Sequence, residues 1–158
     1  MKLYNLLTPD NIALDVHAGD RKDAIECLVD ILAKSGKLSD FNQVKAAVLR
    51  REEEVGTGIG YGVAIPHSDP GPYPEPLAAF CRLKTGIDFH AIDAKPARLI
   101  FLLLTPEKTP ALHVRLLARI CRLLKSLELR NALLNAKDAN QAANILAEAE
   151  SDFPELTP

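Results

Sequence analysis

Leu99-Ile-Phe-Leu-Leu-Leu104 is the stretch on which the fold turns. In a strand, neighbouring side chains point to opposite faces, so six consecutive large apolar residues need cover on both sides. Such a strand lies in the middle of a sheet with helices on each face. Downstream, Pro110 to Lys125 reads as a helix with Leu116, Leu117, Ile120 and Leu124 on one face, and Asp138 with Gln141 resembles a capping box that opens a last helix through Ile145 and Leu146. Upstream, Leu77 to Leu83 reads as a second strand, and Val63-Ala-Ile65 as a short one that Pro66 ends or pushes to an edge. Further back, Asp20 to Lys34 carries Ile25, Leu28, Val29 and Leu32 at helical spacing, with Gly36 just past its end; Ser39 can cap a following helix with Phe41, Val44 and Val48 on its inner face, running to about Arg51. Pro70, Pro72, Pro74 and Pro76 mark a loop, and Gly86 to Phe89 and Asp93 to Pro96 read as turns and short extended pieces. Helices before, between and after apolar strands predict a three-layer α/β domain.

The 158 residues fit one domain, expected over 1–150, with a polar tail over 151–158 expected to fray. The apolar fraction of 47% against 25% charged is that of a globular chain with a full core. A net charge of −2 offers no electrostatic reason for a nucleic-acid or anionic-membrane partner. The apolar run of Leu99 to Leu104 is too short to span a bilayer, and the N-terminal residues lack a signal-peptide pattern, so the expected location is the cytoplasm. Cys27, Cys81 and Cys121 have neither metal-ligand nor redox spacing and read as buried free thiols.

The chemistry points to Arg51-Glu-Glu-Glu-Val-Gly-Thr-Gly-Ile-Gly-Tyr-Gly-Val-Ala-Ile-Pro-His67. Gly58, Gly60 and Gly62 match neither a dinucleotide fingerprint nor a nucleotide P-loop, but their backbone could approach an anion without hindrance from Cβ. They lead to His67, held directly after a proline at the mouth of a strand. A neutral imidazole is a competent nucleophile near neutral pH, and one that carries a phosphoryl group needs its other nitrogen fixed as a single tautomer. It also needs donors for three phosphoryl oxygens. The candidates are the glycine amides, the Thr57 and Ser68 hydroxyls, Arg51 and a second histidine. By spacing alone, the plainer reading weighs slightly more: an ordinary glycine loop with His67 at a strand end.

His113 shares a helix face with Leu116, Leu117, Ile120 and Leu124, which by default marks a core histidine. The competing reading turns the first turn of that helix into a site at the strand ends. Arg115, Arg119 and Arg122 read as a solvated basic stripe, Glu52 to Glu54 as a solvated helix end, and His17 and His90 carry no partner pattern. Ligand spacing for a metal is missing, as is the Gly-x-Ser-x-Gly of a serine hydrolase, and no cofactor is called for.

The segment from Arg51 to His67 closely resembles the active-site signature of the fructose/mannitol-type enzyme IIA family of the phosphoenolpyruvate-dependent phosphotransferase system. Gly86-Ile-Asp-Phe-His-Ala-Ile-Asp93, Leu99 to Leu104, and His113 followed by Leu116-Leu117-Ala118 are similar to the family's second half, in the same order. The resemblance runs from about Leu3 to Ala149 and is greatest to the stand-alone nitrogen-regulatory branch. It implies a single α/β domain with a mixed, mostly parallel five-stranded sheet flanked by helices on both faces. It also implies phosphorylation of the histidine matching His67 by a phosphohistidine carrier such as HPr, a second active-site histidine matching His113, and an active-site arginine matching Arg51. Where family members commonly read Gly-Ser-Thr, this chain reads Val55-Gly56-Thr57.

The resulting expectation is a phosphoryl-relay phosphotransferase without cofactor or metal. Its Thr57, Gly58, Gly60, Gly62 and Ser68 would hold the phosphoryl group beside His67, His113 and Arg51. A carrier would dock on a shallow apolar rim including Ile59, Tyr61 and the start of the Pro110 helix. The rival readings are a sugar-specific enzyme IIA that passes phosphate to an enzyme IIB, and a regulatory module that docks on a transporter or kinase. The chain carries no enzyme IIB or IIC segment, which tilts the expectation toward regulation. A metal-dependent hydrolase using His67, Asp69 and His113 is the weakest alternative.

Overall fold

Two layers of helices close over a five-stranded sheet in the computed structural model, which describes residues 1–157. The strands are β1 (Ile12–Val16), β2 (Gly58–Gly60), β3 (Val63–Ala64), β4 (Leu77–Ile87) and β5 (Ala97–Leu104), in the spatial order β1-β4-β5-β3-β2. The helices are α1 (Arg21–Lys34), α2 (Phe41–Glu54), α3 (Pro110–Leu124), α4 (Leu127–Asn135) and α5 (Ala139–Glu150). The sheet is mixed. β1–β4 and β3–β5 are parallel, whereas β4–β5 and β2–β3 are antiparallel, so the pairings divide evenly rather than leaning to parallel. The short 88–96 connection joins β4 to β5 as a hairpin, without a crossover helix between them.

β5 meets the requirement set by its sequence. Leu99, Phe101 and Leu103 enter one core with Phe80 of β4 and Leu116 and Ile120 of α3; Ile100, Leu102 and Leu104 enter the other with Ile25, Leu28 and Leu32 of α1. The Phe80 and Phe101 rings stack across the β4–β5 ladder, with centroids 4.5 Å apart. Asp20, Asp40 and Asp138 cap α1, α2 and α5 by accepting the amides of Asp23, Gln43 and Gln141. The second helix therefore starts from Asp40 rather than Ser39.

Three elements have no counterpart in the sequence reading: β2, which lies inside the Gly-rich stretch, β1 and α4. β1 is a short strand that becomes one only by pairing with β4. α4 follows α3 after two residues, with no glycine or proline to announce the break, and starts where Ser126 accepts the Leu129 amide at 3.2 Å.

The 151–157 segment corrects the expected fraying. The Leu156 amide donates to the Met1 carbonyl at 2.7 Å, Arg119 reaches the Pro154 carbonyl at 2.8 Å, and Phe153 packs against the core under the Arg119 and Arg122 guanidiniums. Arg119 is accordingly buried and paired to buried Glu150, not part of a solvated stripe. Among the thiols only Cys81 is fully buried, and desolvation raises its pKa strongly; Cys27 and Cys121 are half-buried.

Candidate functional site

Beyond β3 the chain continues alongside the C-terminal end of β5: the Leu103 amide donates to the Pro66 carbonyl at 3.1 Å, and His67 forms a bridge with Leu103. α3 begins six residues after β5 ends and carries His113 in its first turn. Both histidines therefore reach the same end of the sheet, with ring centroids 5.6 Å apart and planes inclined at 55°. His113 belongs to the site and to the core face at once, because a residue in the first turn of α3 lies level with the strand ends while its helix neighbours sit over the sheet.

The hydrogen bonds fix the two rings differently. His67 Nδ1 lies 2.7 Å from the Ile65 carbonyl oxygen, which can only accept, so Nδ1 carries the proton and Nε2 keeps its lone pair. His113 Nδ1 lies 2.7 Å from the hydroxyl of Thr105, a fully buried residue one position past β5. That leaves Nε2 of His113 available as well. Thr105 escaped the sequence reading because a threonine after a strand is commonplace; only the packing of α3 over the strand end brings it to His113.

Burial lowers the pKa of His67, with the Arg51 charge lowering it further against the opposing pull of the Ile65 carbonyl. For His113 burial again acts first, followed by repulsion from His67. Both rings favour the neutral state that a nucleophile requires. Arg51, in the last turn of α2, donates to the Val55 carbonyl at 3.0 Å and acts electrostatically on both histidines. Its side chain lines a groove shared with Ser68 and Asp69.

The residues expected to bind the phosphoryl oxygens are placed otherwise. The Thr57 hydroxyl donates to Glu52, and the Ser68 hydroxyl donates to the Asp69 carbonyl at 3.0 Å while meeting the Tyr73 hydroxyl at 2.9 Å. Each hydroxyl has one proton, and it is already given. The Gly58 amide donates to the Phe89 carbonyl at 3.1 Å, and a Cβ on Gly58 would stand 2.8 Å from that oxygen. Glycine there admits the passing 89–91 backbone, not an anion.

Gly60 and Gly62 belong to the β2–β3 hairpin turn, where Tyr61 and Gly62 take φ of 60° and 75°. The Gly62 carbonyl accepts from the amides of Arg98 and Leu99, four to five residues back along β5 from Leu103. At about 3.3 Å per residue the turn is about 13 Å from the histidine end. Tyr61, expected on the docking rim, sits at that far turn under the Arg130 guanidinium. Ile59 packs partly into the core on the α3 side. Among the exposed apolar side chains, Val114 follows His113 in the chain, and Val55 lies four residues after Arg51, whose guanidinium donates to its carbonyl.

Glu52 is a second correction. Expected in solvent, it is 2% exposed, accepts the Thr57 amide at 3.1 Å and pairs with Arg21 of α1 at 3.2 Å. The helical offset from Val48 and Val44, which puts Glu52 on the same inward row, was the available signal. His17 and His90 are exposed. Among the described residues no group of three or more His, Cys, Asp or Glu side chains could hold a metal ion, and no helix is long and apolar enough to cross a membrane.

At one end of the sheet a neutral histidine, with one ring nitrogen pinned and the other free, stands beside a second histidine under an arginine's field. The chain belongs to the phosphoenolpyruvate-dependent sugar phosphotransferase system EIIA 2 family, whose pattern matches residues 5–149. Proteins of this family are phosphotransferases that carry phosphohistidine.

It is 36% identical to the fructose-specific EIIABC component of Bacillus subtilis over 92% of this chain, but spans only 23% of that protein. A nitrogen regulatory protein of Bradyrhizobium diazoefficiens is 35% identical over 93% of this chain and 95% of its own length. The crystal structure of nitrogen regulatory protein IIA-Ntr from Neisseria meningitidis superposes with a TM-score of 0.84 at 30% identity, covering 91% of this chain and 98% of that one.

Proposed function

We propose that His67 accepts the phosphoryl group on Nε2 from a phosphohistidine carrier of the HPr type, and that the chain serves as a regulatory, nitrogen-type enzyme IIA in the cytoplasm. The observation that carries this reading is the Nδ1 contact to the Ile65 carbonyl at 2.7 Å, which leaves Nε2 as the nucleophile on a ring whose centroid lies 5.6 Å from that of His113. As the Nε2–P bond forms, the carrier's N–P bond breaks, and the carrier's ring keeps that electron pair. The positive charge of the carrier's phosphoimidazole passes to His67, whose Nδ1–H stays bonded to the Ile65 carbonyl. His113 supplies a hydrogen-bond donor to the phosphoryl oxygens, and Arg51 supplies positive charge.

The regulatory reading is supported by a nitrogen regulatory relative matched nearly end to end and by a nitrogen regulatory structure that shares the fold at 30% identity, although a fructose-specific EIIA component of Haloferax volcanii is matched as fully, over 93% of its own length at 36% identity. The sugar-specific reading rests on the equally similar fructose-specific relative, and in it the same His67 hands its phosphate to an enzyme IIB. The test is incubation with phosphoenolpyruvate, enzyme I and the carrier, followed by a chase with a fructose-type enzyme IIB. A phosphoprotein that forms in the wild type, is absent in His67→Ala and persists through the chase is the expected result. Rapid, complete transfer to enzyme IIB would select the sugar-specific role, and phosphorylation of His67→Ala would overturn the acceptor.

A further inference from the structure

We propose that Glu52 is a positioning residue that sets the tautomer of His67 through Thr57 and Ile65. The inference rests on His67 being the phosphoryl acceptor. The bonds form one continuous chain. Arg21 of α1 donates to Glu52 at 3.2 Å, and Glu52 accepts both the amide (3.1 Å) and the hydroxyl of Thr57. The Thr57 carbonyl accepts the Ile65 amide at 3.1 Å, and the Ile65 carbonyl accepts His67 Nδ1–H at 2.7 Å.

Each link is constrained by its chemistry. A carboxylate only 2% exposed must be matched by donors, and three converge on it from α1 and the 55–57 turn. Ile65 precedes Pro66, which restricts its backbone to extended conformations, and its amide is held by Thr57, so the direction of its carbonyl is decided on both sides. A carbonyl so aimed leaves His67 a single low-energy neutral tautomer, with the lone pair on Nε2. Glu52 also follows Arg51 on α2, so anchoring its side chain fixes the rotation of the last helical turn from which Arg51 projects.

A purely structural role would resemble that of Glu150, whose buried carboxylate accepts the Leu3 and Tyr4 amides and Arg119 far along the chain from either histidine. The two are separated by the tautomer of His67, read from long-range nitrogen-proton NMR correlations in the unphosphorylated protein above the histidine pKa. Rates of acceptance from pre-phosphorylated carrier are measured alongside. Wild type is expected to show the Nδ1–H form. Thr57→Val and Glu52→Gln are expected to raise the Nε2–H share and to slow acceptance about five- to tenfold, the loss of about one hydrogen bond. Thr57→Ser restores both, while Glu150→Gln lowers the melting temperature and leaves the tautomer unchanged.

If Glu52→Gln does not fold, the Thr57→Val and Thr57→Ser pair decides. Folded variants that keep the wild-type tautomer and rate would overturn the role of Glu52. His67→Ala, run in the same series, keeps that failure distinct, because a variant lacking His67 that still accepts phosphate would instead remove the acceptor assignment.

Discussion

Two of the polar clusters buried in this molecule resemble one another in chemistry but not in consequence. One is the histidine end of the sheet, where Arg21, Glu52 and Thr57 lie behind His67. The other is the clamp between the termini, where Glu150 holds Leu3, Tyr4 and Arg119, and Lys2 donates to the carbonyls of Glu150, Ser151 and Phe153. Each has an Arg–Glu pair whose carboxylate is shielded from water. In the clamp, the carboxylate oxygens accept from donors supplied within the fold. At the histidine end two ring nitrogens are left over, Nε2 of His67, on a half-buried ring, and Nε2 of His113. A buried ion pair is thus no marker of function; a reactive atom left unpaired beside one is.

The sharpest way to break the comparison is to exchange the expected outcomes of two substitutions. His67→Ala should abolish phosphoryl acceptance while barely moving the urea midpoint. Glu150→Ala should cost about 3–5 kcal/mol of stability, because it strands Arg119 in the interior, yet leave acceptance per folded molecule intact. Equilibrium unfolding and a gel-based transfer assay on both variants check this, and an acceptance defect in folded Glu150→Ala would erase the distinction.

A smaller effect is expected inside the site. His113→Ala and Arg51→Ala each remove one charge-assisted contact to the phosphoryl group, worth about 1.5–3 kcal/mol, and should slow acceptance roughly 10- to 150-fold without abolishing it. Rapid-quench kinetics with pre-phosphorylated carrier would show it, and a variant as dead as His67→Ala would demand a covalent role for the second residue.

The pH response is next in size. Both imidazoles have lowered pKa values, so acceptance should hold steady as pH falls through about 6.5 and drop only below the lowered His67 value. The stability effect has the same sense. The unfolded chain binds these protons more readily than the native one, so stability falls as pH drops from about 6.5 through the lowered native values. NMR titration of the ring protons gives the two pKa values directly, and values at or above those of a free imidazole would contradict the neutral pair.

The smallest effect separates the two ends of β5. Val114→Asp should impair transfer from the carrier while leaving chemical phosphorylation of His67 unchanged. Tyr61→Ser, at the far turn, should change transfer not at all and cost about 0.5–1 kcal/mol through its Arg130 contact. Carrier titrations of the transfer rate compare them; an equal defect in both would move the docking surface toward the hairpin.

Particular residues show why legibility was uneven. Asp20 and Asp138 could be read as caps because capping is local, decided within one helical turn. β1 and α4 could not, because the first exists through its pairing with β4 and the second through burial of Leu129 and Leu133 against the sheet. The 151–157 segment looked unanchored because its partners, Met1, Lys2 and Arg119, lie far away in sequence.

By itself the sequence determined the doubly covered central strand, the helix faces, the nucleophile candidate at the end of the Gly-rich stretch and the family the chain belongs to. Those are matters of alternation, helical period and local pattern, which adjacent residues settle among themselves. Only the tertiary structure decided that His113 stands 5.6 Å from His67, that Glu52 is interior and that Thr57, Ser68 and Gly58 are already engaged. A hydrogen bond is spent on whichever partner the packing delivers, and that partner is commonly an element remote in the chain.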